Sequence, residues 1–265
     1  MGDALFGRYW AADSVIHRLD ARTKVLATIA WVVACLIGST VPALFVLTAA
    51  IVLFILLSKI PPLQVVRSVL PLMFIVVITA LINLFSVQTG TALVEWGLLR
   101  ITDGGLAMAG FVAIRLTLLL LGGSILTLTT TSIDITDALE QLLSPFARIG
   151  LPAHEFAMIM GIALRFVPQF ADELLTIHNA QLSRGARLAT STTHGFASVT
   201  SLLVPLFASA FRHADTLSNA MDARCYHGAI GRTRLHPLKF AARDVLAAIV
   251  MVAVVAATAA VTALL

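Results

Sequence analysis

The sequence predicts an all-α integral membrane protein, with about five transmembrane helices and a cytoplasmic domain of three helices inserted before the last span. Three observations predict this. First, 59 % of the 265 residues are hydrophobic and 12 % charged, whereas a soluble domain carries about 45–50 % apolar and about 25 % charged residues. Second, five apolar stretches approach the roughly 20 residues that a helix needs to cross a hydrocarbon layer about 30 Å thick. Third, the region from Asp134 to Arg243 carries its apolar residues at helical three-and-four spacing rather than as a continuous run. The same composition excludes a disordered chain. Cys35 lies in an apolar run and Cys225 beside an arginine, so a disulfide scaffold is excluded too.

Taken in order, residues 1–24 form a cytoplasmic N-terminal segment with Arg8, Arg18, Arg22 and Lys24. No cleavable signal peptide is expected, since the first apolar run begins only at Val25. A membrane domain of four spans follows over 25–130: Val25–Val41, Pro42–Leu57, Val69–Phe85 and Leu106–Thr130. Gly38 to Pro42 make a tight turn between the first two, with proline starting the second helix. Lys59 and Arg67 are expected in the second loop. Residues 131–243 form the cytoplasmic domain and 244–265 the last span, Val245–Leu265.

Positive residues are retained in the cytoplasm, and ten of the eighteen Lys and Arg residues fall between Arg148 and Arg243. The opposite side carries only Arg100, set against Glu95 and Asp103. This places the N-terminus inside and predicts a multi-pass protein of a prokaryotic cell membrane. Gly195–Phe211 is uncharged, yet reading it as a span would move a block of cations outside, so it is assigned to a buried or interfacial helix.

Within the cytoplasmic region, Ile135, Ala138, Leu139, Leu142, Leu143 and Phe146 follow an amphipathic pattern, with Asp134 as the expected N-cap and Asp137 in the first turn. A long helix is predicted over Ala153–Arg187, kinked at Pro168, and another over Gly195–Ala223, with Pro205 as its irregularity. Both end among arginines, which complement a helix C-terminus.

Several chemistries are excluded. No lysine follows a glycine, so there is no phosphate-binding loop of the Gly-Lys type and no ATP hydrolysis by that route. His154-Glu155 begins a zinc-protease pattern, but position 158 is Met158. Gly122-Gly123-Ser124 has no histidine in a span to activate it and reads as a small-residue helix contact. The seven histidines, His17 and His213 among them, lack paired ligand spacing and are assigned surface or capping roles. No catalytic residue, metal site, cofactor or nucleic-acid partner is assigned. Arg115 lies deep in a span, where charge is costly, and is either part of a coupling path or an arginine bonded to carbonyls or to Asn83.

The segment Ser14-Val-Ile-His17-Arg18-Leu19-Asp20-Ala21-Arg22-Thr23-Lys24 resembles the entry motif of the T components of energy-coupling factor transporters, the EcfT and CbiQ family. Leu143 to Pro152 is similar to that family's first coupling segment, and Ala163-Leu164-Arg165-Phe166-Val167-Pro168 and Val204-Pro205-Leu206 lead into the two places where the family carries short signatures. Ser183-Arg184-Gly185 and Ala223-Arg224-Cys225 resemble its two Ala-Arg-Gly signatures, with serine for alanine in the first and cysteine for glycine in the second. The resemblance runs in order from about Ser14 to Asp244. It implies a non-catalytic scaffold that joins two ABC ATPase subunits to a substrate-binding S component in the lipid bilayer, for uptake of a vitamin or a transition-metal ion. Residues 131–243 would then be the coupling domain. Carried over residue by residue, the resemblance assigns ATPase docking to Ser183, Arg184 and Gly185 on one helix and to Ala223, Arg224 and Cys225 on the other. The residues alone leave one alternative, an autonomous channel or secondary transporter, for which only Arg115, Asn83 and Gly122-Gly123 offer mid-membrane features.

Overall fold

Proline and glycine set where the apolar runs break into helices. The computed structural model describes residues 10, 12–96, 99–143, 153–185, 192–226, 228 and 240–264. Among them the chain forms nine α-helices and one two-stranded antiparallel hairpin. It divides into two compact units, residues 1–138 with 236–265, and residues 139–235.

In the first unit, α1 (Ala21–Ile37) is capped by the Asp20 side chain, which accepts from the Arg22 amide. It ends at Gly38, and α2 (Val41–Ser58) begins at once with Pro42 in its first turn. A proline there loses nothing, because the first amides of a helix have no intrahelical acceptor. Lys59 closes α2 in the left-handed conformation. The third apolar stretch begins earlier than the sequence predicts. α3 (Pro62–Val69) places Arg67 on a helix rather than in a loop, a 3-10 turn at Leu70–Leu72 accommodates Pro71, and α4 (Met73–Ser86) continues.

Strands β1 (Ala92–Trp96) and β2 (Leu99–Thr102) then form a hairpin in which Glu95 and Arg100 are register partners. α5 (Asp103–Thr129) starts at Thr102, whose hydroxyl accepts the Gly105 amide. α6 (Ser132–Leu143) starts one turn before the expected cap. Thr131 Oγ1 accepts the Asp134 amide and donates to the Asp134 carboxylate, so the threonine is the cap and Asp134 lies in the first turn. α9 (Ala242–Leu264) closes the unit.

Four segments are long and apolar enough to cross a membrane: Val41–Ser58, Pro62–Ser86, Asp103–Thr129 and Ala242–Leu264. α1 has 17 residues, or about 25 Å at 1.5 Å per residue. It begins four residues before the apolar stretch because Asp20 is a better cap than anything nearer Val25. Large apolar side chains such as Phe45, Phe74 and Ile249 point outward, as they must where the solvent is lipid.

Inside, Trp31, Leu47, Ile51, Leu118 and Met251 form the core. The Trp31 ring lies on Gly122, where any Cβ would collide with the indole. Its Nε1–H donates to the Leu118 carbonyl at 3.0 Å, and Phe54 meets the ring edge-on. This contact gives Gly122 the packing role expected of the glycine pair, whereas a Cβ on Gly123 would meet nothing within 4 Å.

The second unit is built on α7 (Ala153–Ser183) and α8 (Thr192–Ala223), which pack against each other. Tyr226 reaches Met158, His213 lies 3.2 Å from Gln169, Ser209 donates to Glu173, and Gln181 donates to the Ser201 carbonyl at 3.3 Å. Positions rising along one helix meet positions falling along the other, so the pair is antiparallel. α8 is not among the helices apolar enough to span.

Candidate functional site

Each of the two signatures stands where a long helix stops. α7 ends at Ser183, whose hydroxyl bonds back to the Asn179 carbonyl at 3.0 Å. The Arg184 amide still reaches Ala180 and Gln181, the Gly185 amide reaches Leu182 at 3.0 Å, and Gly185 turns the chain with φ of 82°. α8 ends at Ala223 in the same way. The Arg224 amide donates to Met221, the Cys225 amide to Asp222 at 2.9 Å and the Tyr226 amide back to Met221. Cys225 has φ of 53°.

One left-handed residue thus closes each helix and satisfies its last carbonyls. Glycine enters that conformation freely, whereas an L-residue pays roughly 1–2 kcal/mol. A Cβ built on Gly185 meets nothing within 4 Å, so the position excludes a side chain through its backbone angle and not through crowding. Cysteine at the equivalent place in α8 is therefore a tolerated substitution.

Arg184 and Arg224 occupy these turns, and both are exposed. Among the described residues neither guanidinium is ion-paired. A planar fork with free donors suits a carboxylate-lined groove. Because α7 and α8 are antiparallel, the two arginines stand at opposite ends of the pair. Each lies 13 residues beyond the midpoint of the Gln169–His213 and Glu173–Ser209 contacts, about 20 Å along its helix.

Pro168 and Pro205 lie inside α7 and α8, and each deprives the carbonyl four residues earlier of its amide. For Pro205 that carbonyl belongs to Ser201, and the Gln181 side chain of α7 supplies a donor. The irregularity in α8 is thereby turned into an interhelix bond.

The entry motif folds into a polar knot within the first unit. Ser14 Oγ lies 2.7 Å from His17 Nδ1, and His17 Nε2 is 2.9 Å from the Trp10 carbonyl. The Trp10 amide donates to the Leu128 carbonyl, and Lys24 Nζ donates to the carbonyls of Thr129 and His17 at 2.9 and 3.0 Å. Amide and ammonium thus satisfy orphan carbonyls at the end of α5, where positive charge is favoured. Asp20 binds the Arg22 guanidinium at 2.8 Å, and Arg22 stacks on Phe240. Asp244 accepts the Asp20 amide and the Ala241 amide, each at 2.8 Å.

Burial sets the titration of these groups. It pushes the Lys24 ammonium down to about 8, against the raising effect of Asp134, Asp20 and Asp244. It also lowers His17. For Asp20 burial acts upward, but the hydrogen bonds and charge of Arg22 outweigh it and the carboxyl titrates low.

Arg115 turns toward α1. Its Nε and Nη2 donate to the carbonyls of Cys35 and Leu36 at 2.7 and 2.6 Å, the last turn of that helix. Asn83 bonds instead to the Thr79 carbonyl of its own helix.

Three residues escaped the sequence reading. Asp244 looks like an ordinary start of a span, yet it is 4 % exposed and holds α9 to α1. His213, one-third exposed, also packs against Phe166 and Phe170 and faces Glu173, contacts the sequence reading did not anticipate. Glu173 faces it with one buried oxygen that makes no hydrogen bond. The available signal was the spacing: Gln169 and Glu173, and likewise Ser209 and His213, are polar pairs four apart on otherwise apolar faces.

The chain matches the family model described as CbiQ, cobalt transport protein, over residues 12–237. It is 42 % identical over 252 residues to the energy-coupling factor transporter transmembrane protein EcfT of Acidaminococcus fermentans, covering 95 % of this chain and 94 % of that one. The protein of the same description from Thermosediminibacter oceani is 44 % identical, with 93 % of each chain covered. A putative ABC transporter ATP-binding protein of Bifidobacterium longum is 40 % identical over 93 % of this chain, which matches 32 % of its length.

Proposed function

Because the chain belongs to the CbiQ and EcfT family of transporter transmembrane proteins, we propose that it is the coupling scaffold of an ATP-driven importer, holding two cytoplasmic ATPase subunits and one substrate-binding membrane subunit. It is a multi-pass membrane protein and a transmembrane component of energy-coupling factor transporters. The proposal extends to how it couples.

The observation that carries it is the pair of equivalent helix ends, each presenting an exposed arginine beside a left-handed turn at opposite ends of one antiparallel pair. One scaffold then offers two ATPases the same peg. Arg184 docks into one and Arg224 into the other, with Ser183, Gly185, Ala223 and Cys225 shaping the turn that presents them. ATP-driven closure of the ATPase pair moves both pegs, and α7 and α8 carry that motion to the substrate-binding subunit through their exposed apolar side chains, such as Phe156, Val204 and Phe207.

The scaffold itself is non-catalytic, and a vitamin or transition-metal ion is selected by the partner subunit. The N-terminus and the α7–α8 unit lie in the cytoplasm, in keeping with the cation distribution. The longer Bifidobacterium relative, named as an ATP-binding protein, supports the pairing with ATPases.

Purification from the native host is expected to bring down two ATPase subunits. Arg184→Ala or Arg224→Ala weakens ATPase recovery, by about 2–5 kcal/mol if the docked pair is desolvated, and leaves membrane insertion intact. A protein that purifies alone and transports in liposomes without ATP overturns the proposal, as does wild-type uptake by the double variant.

A further inference from the structure

The two polar contacts at the centre of α7 and α8 are related to one another by a fixed offset. Gln169 meets His213 and Glu173 meets Ser209. Adding forty to the α7 member of one contact gives the α8 member of the other. The same offset carries Arg184 to Arg224 and Gly185 to Cys225, the two left-handed positions. The hairpin therefore has a local pseudo-two-fold centre, and the polar cluster sits on it.

Around the cluster the interface is apolar and aromatic. Phe166 and Phe170 stack at 5.6 Å, and both rings pack about 6 Å from His213. Apolar helix faces adhere in several registers, because a slide of one turn replaces one large side chain by another. Polar groups in such a face do not slide freely: Ser209 is buried, and its displaced hydroxyl loses the Glu173 carboxylate while remaining desolvated, whereas Gln169 and His213 flank this bond at the more exposed margin. A single buried polar position is known to fix register between paired helices.

We propose that Gln169, Glu173, Ser209 and His213 are positioning residues that fix the register of α7 against α8, and with it the separation of Arg184 and Arg224. A slip of one turn moves one arginine relative to the other by about 5 Å. Its consequence for partners rests on the docking role proposed above: two pegs out of register cannot seat together on two ATPases.

The test uses the full-length protein in lipid nanodiscs with spin labels at Asn179→Cys and Asn219→Cys, exposed positions related by the same offset, in a Cys35→Ala, Cys225→Ser background. The parent is expected to give one narrow distance peak. Replacing the cluster by Gln169→Leu, Glu173→Leu, Ser209→Ala and His213→Leu is expected to split or shift that peak by about 5 Å, with helical content unchanged. Glu173→Gln keeps an oxygen for the Ser209 hydroxyl and retains the single peak.

In the native host, with no labels present, the fourfold variant is expected to lose at least tenfold in recovery of complexes with two ATPases while complexes with one persist. A single unshifted peak in the fourfold variant overturns the proposal. So does complete separation of the helices, which would make the cluster the source of adhesion and not of register. The distance measurement needs no ATPase, so a wild-type protein that recruits none refutes the docking role alone.

Discussion

Cys225 shows how one residue can depart from a pattern and keep its geometry. It holds φ of 53° where Gly185 holds 82° at the end of the other helix, so the backbone of the turn is conserved between the two ends at an energetic cost to one. Cys225→Gly is expected to stabilise the end of α8 by about 1 kcal/mol, read as slower hydrogen exchange at Arg224 to Tyr226, whereas Cys225→Ala leaves it unchanged. Lys24 makes a second residue-scale prediction. Burial lowers its folded pKa to about 8 from an ordinary 10.5, so between those values the unfolded chain binds more protons and stability rises with pH. Thermal unfolding in detergent between pH 8 and 10.5 is expected to show this rise, and Lys24→Met to flatten it. The entry motif was legible in the sequence as a pattern, but its partners were not. Thr129 contributes only a backbone carbonyl, which no side-chain pattern can announce, and Asp244 lies more than two hundred residues from the Asp20 amide it accepts.

At the scale of elements, hydropathy and punctuation placed the helices well where proline or glycine marks an end, as at Gly38 and Pro42. They misplaced starts that depend on capping side chains. Asp20 begins α1 before the apolar run, and Thr131 rather than Asp134 caps α6. The β1–β2 hairpin was not expected at all, although Gly97 stands in the two-residue link between strands of only five and four residues; that link lies outside the described residues, as do 144–152. The end of α8 at Ala223 was legible to the residue, whereas α7 stops at Ser183, four residues before the expected Arg187, because Gly185 takes the left-handed turn. The interlock of α7 with α8 was not legible, since it depends on side chains about forty residues apart. Packing between α1 and α5 is tested by Gly122→Ala. The added methyl meets the Trp31 indole, and the variant is expected to lose about 1–3 kcal/mol, seen as a lower midpoint in thermal unfolding and a change in tryptophan fluorescence.

For the whole molecule, the composition already required a membrane, and the four long apolar segments meet that requirement. The sidedness proposed from the charge distribution can be checked directly. In a background with Cys35 and Cys225 replaced, Gln88→Cys, beside the hairpin and exposed, is expected to react with an impermeant maleimide added outside cells, while exposed Asp13→Cys reacts only after permeabilisation. Reaction of Asp13→Cys from outside, with Gln88→Cys reacting only after permeabilisation, would reverse the orientation. Arg115 sets a further condition on the membrane itself. Lys24 meets Thr129, Trp31 meets Leu118, and the end of α1 meets Arg115, so α1 stops level with the middle of α5. The twelve residues of α5 before Arg115 continue about 18 Å beyond that level. Lipids above the α1–α2 turn therefore face a shorter apolar wall than lipids beside α5. A short wall is accommodated by thinning of the bilayer or by association with another subunit, and the mismatch energy grows with acyl-chain length. The step between α1 and α5 thereby makes the cost of a thick bilayer fall unequally on the two leaflets around this protein.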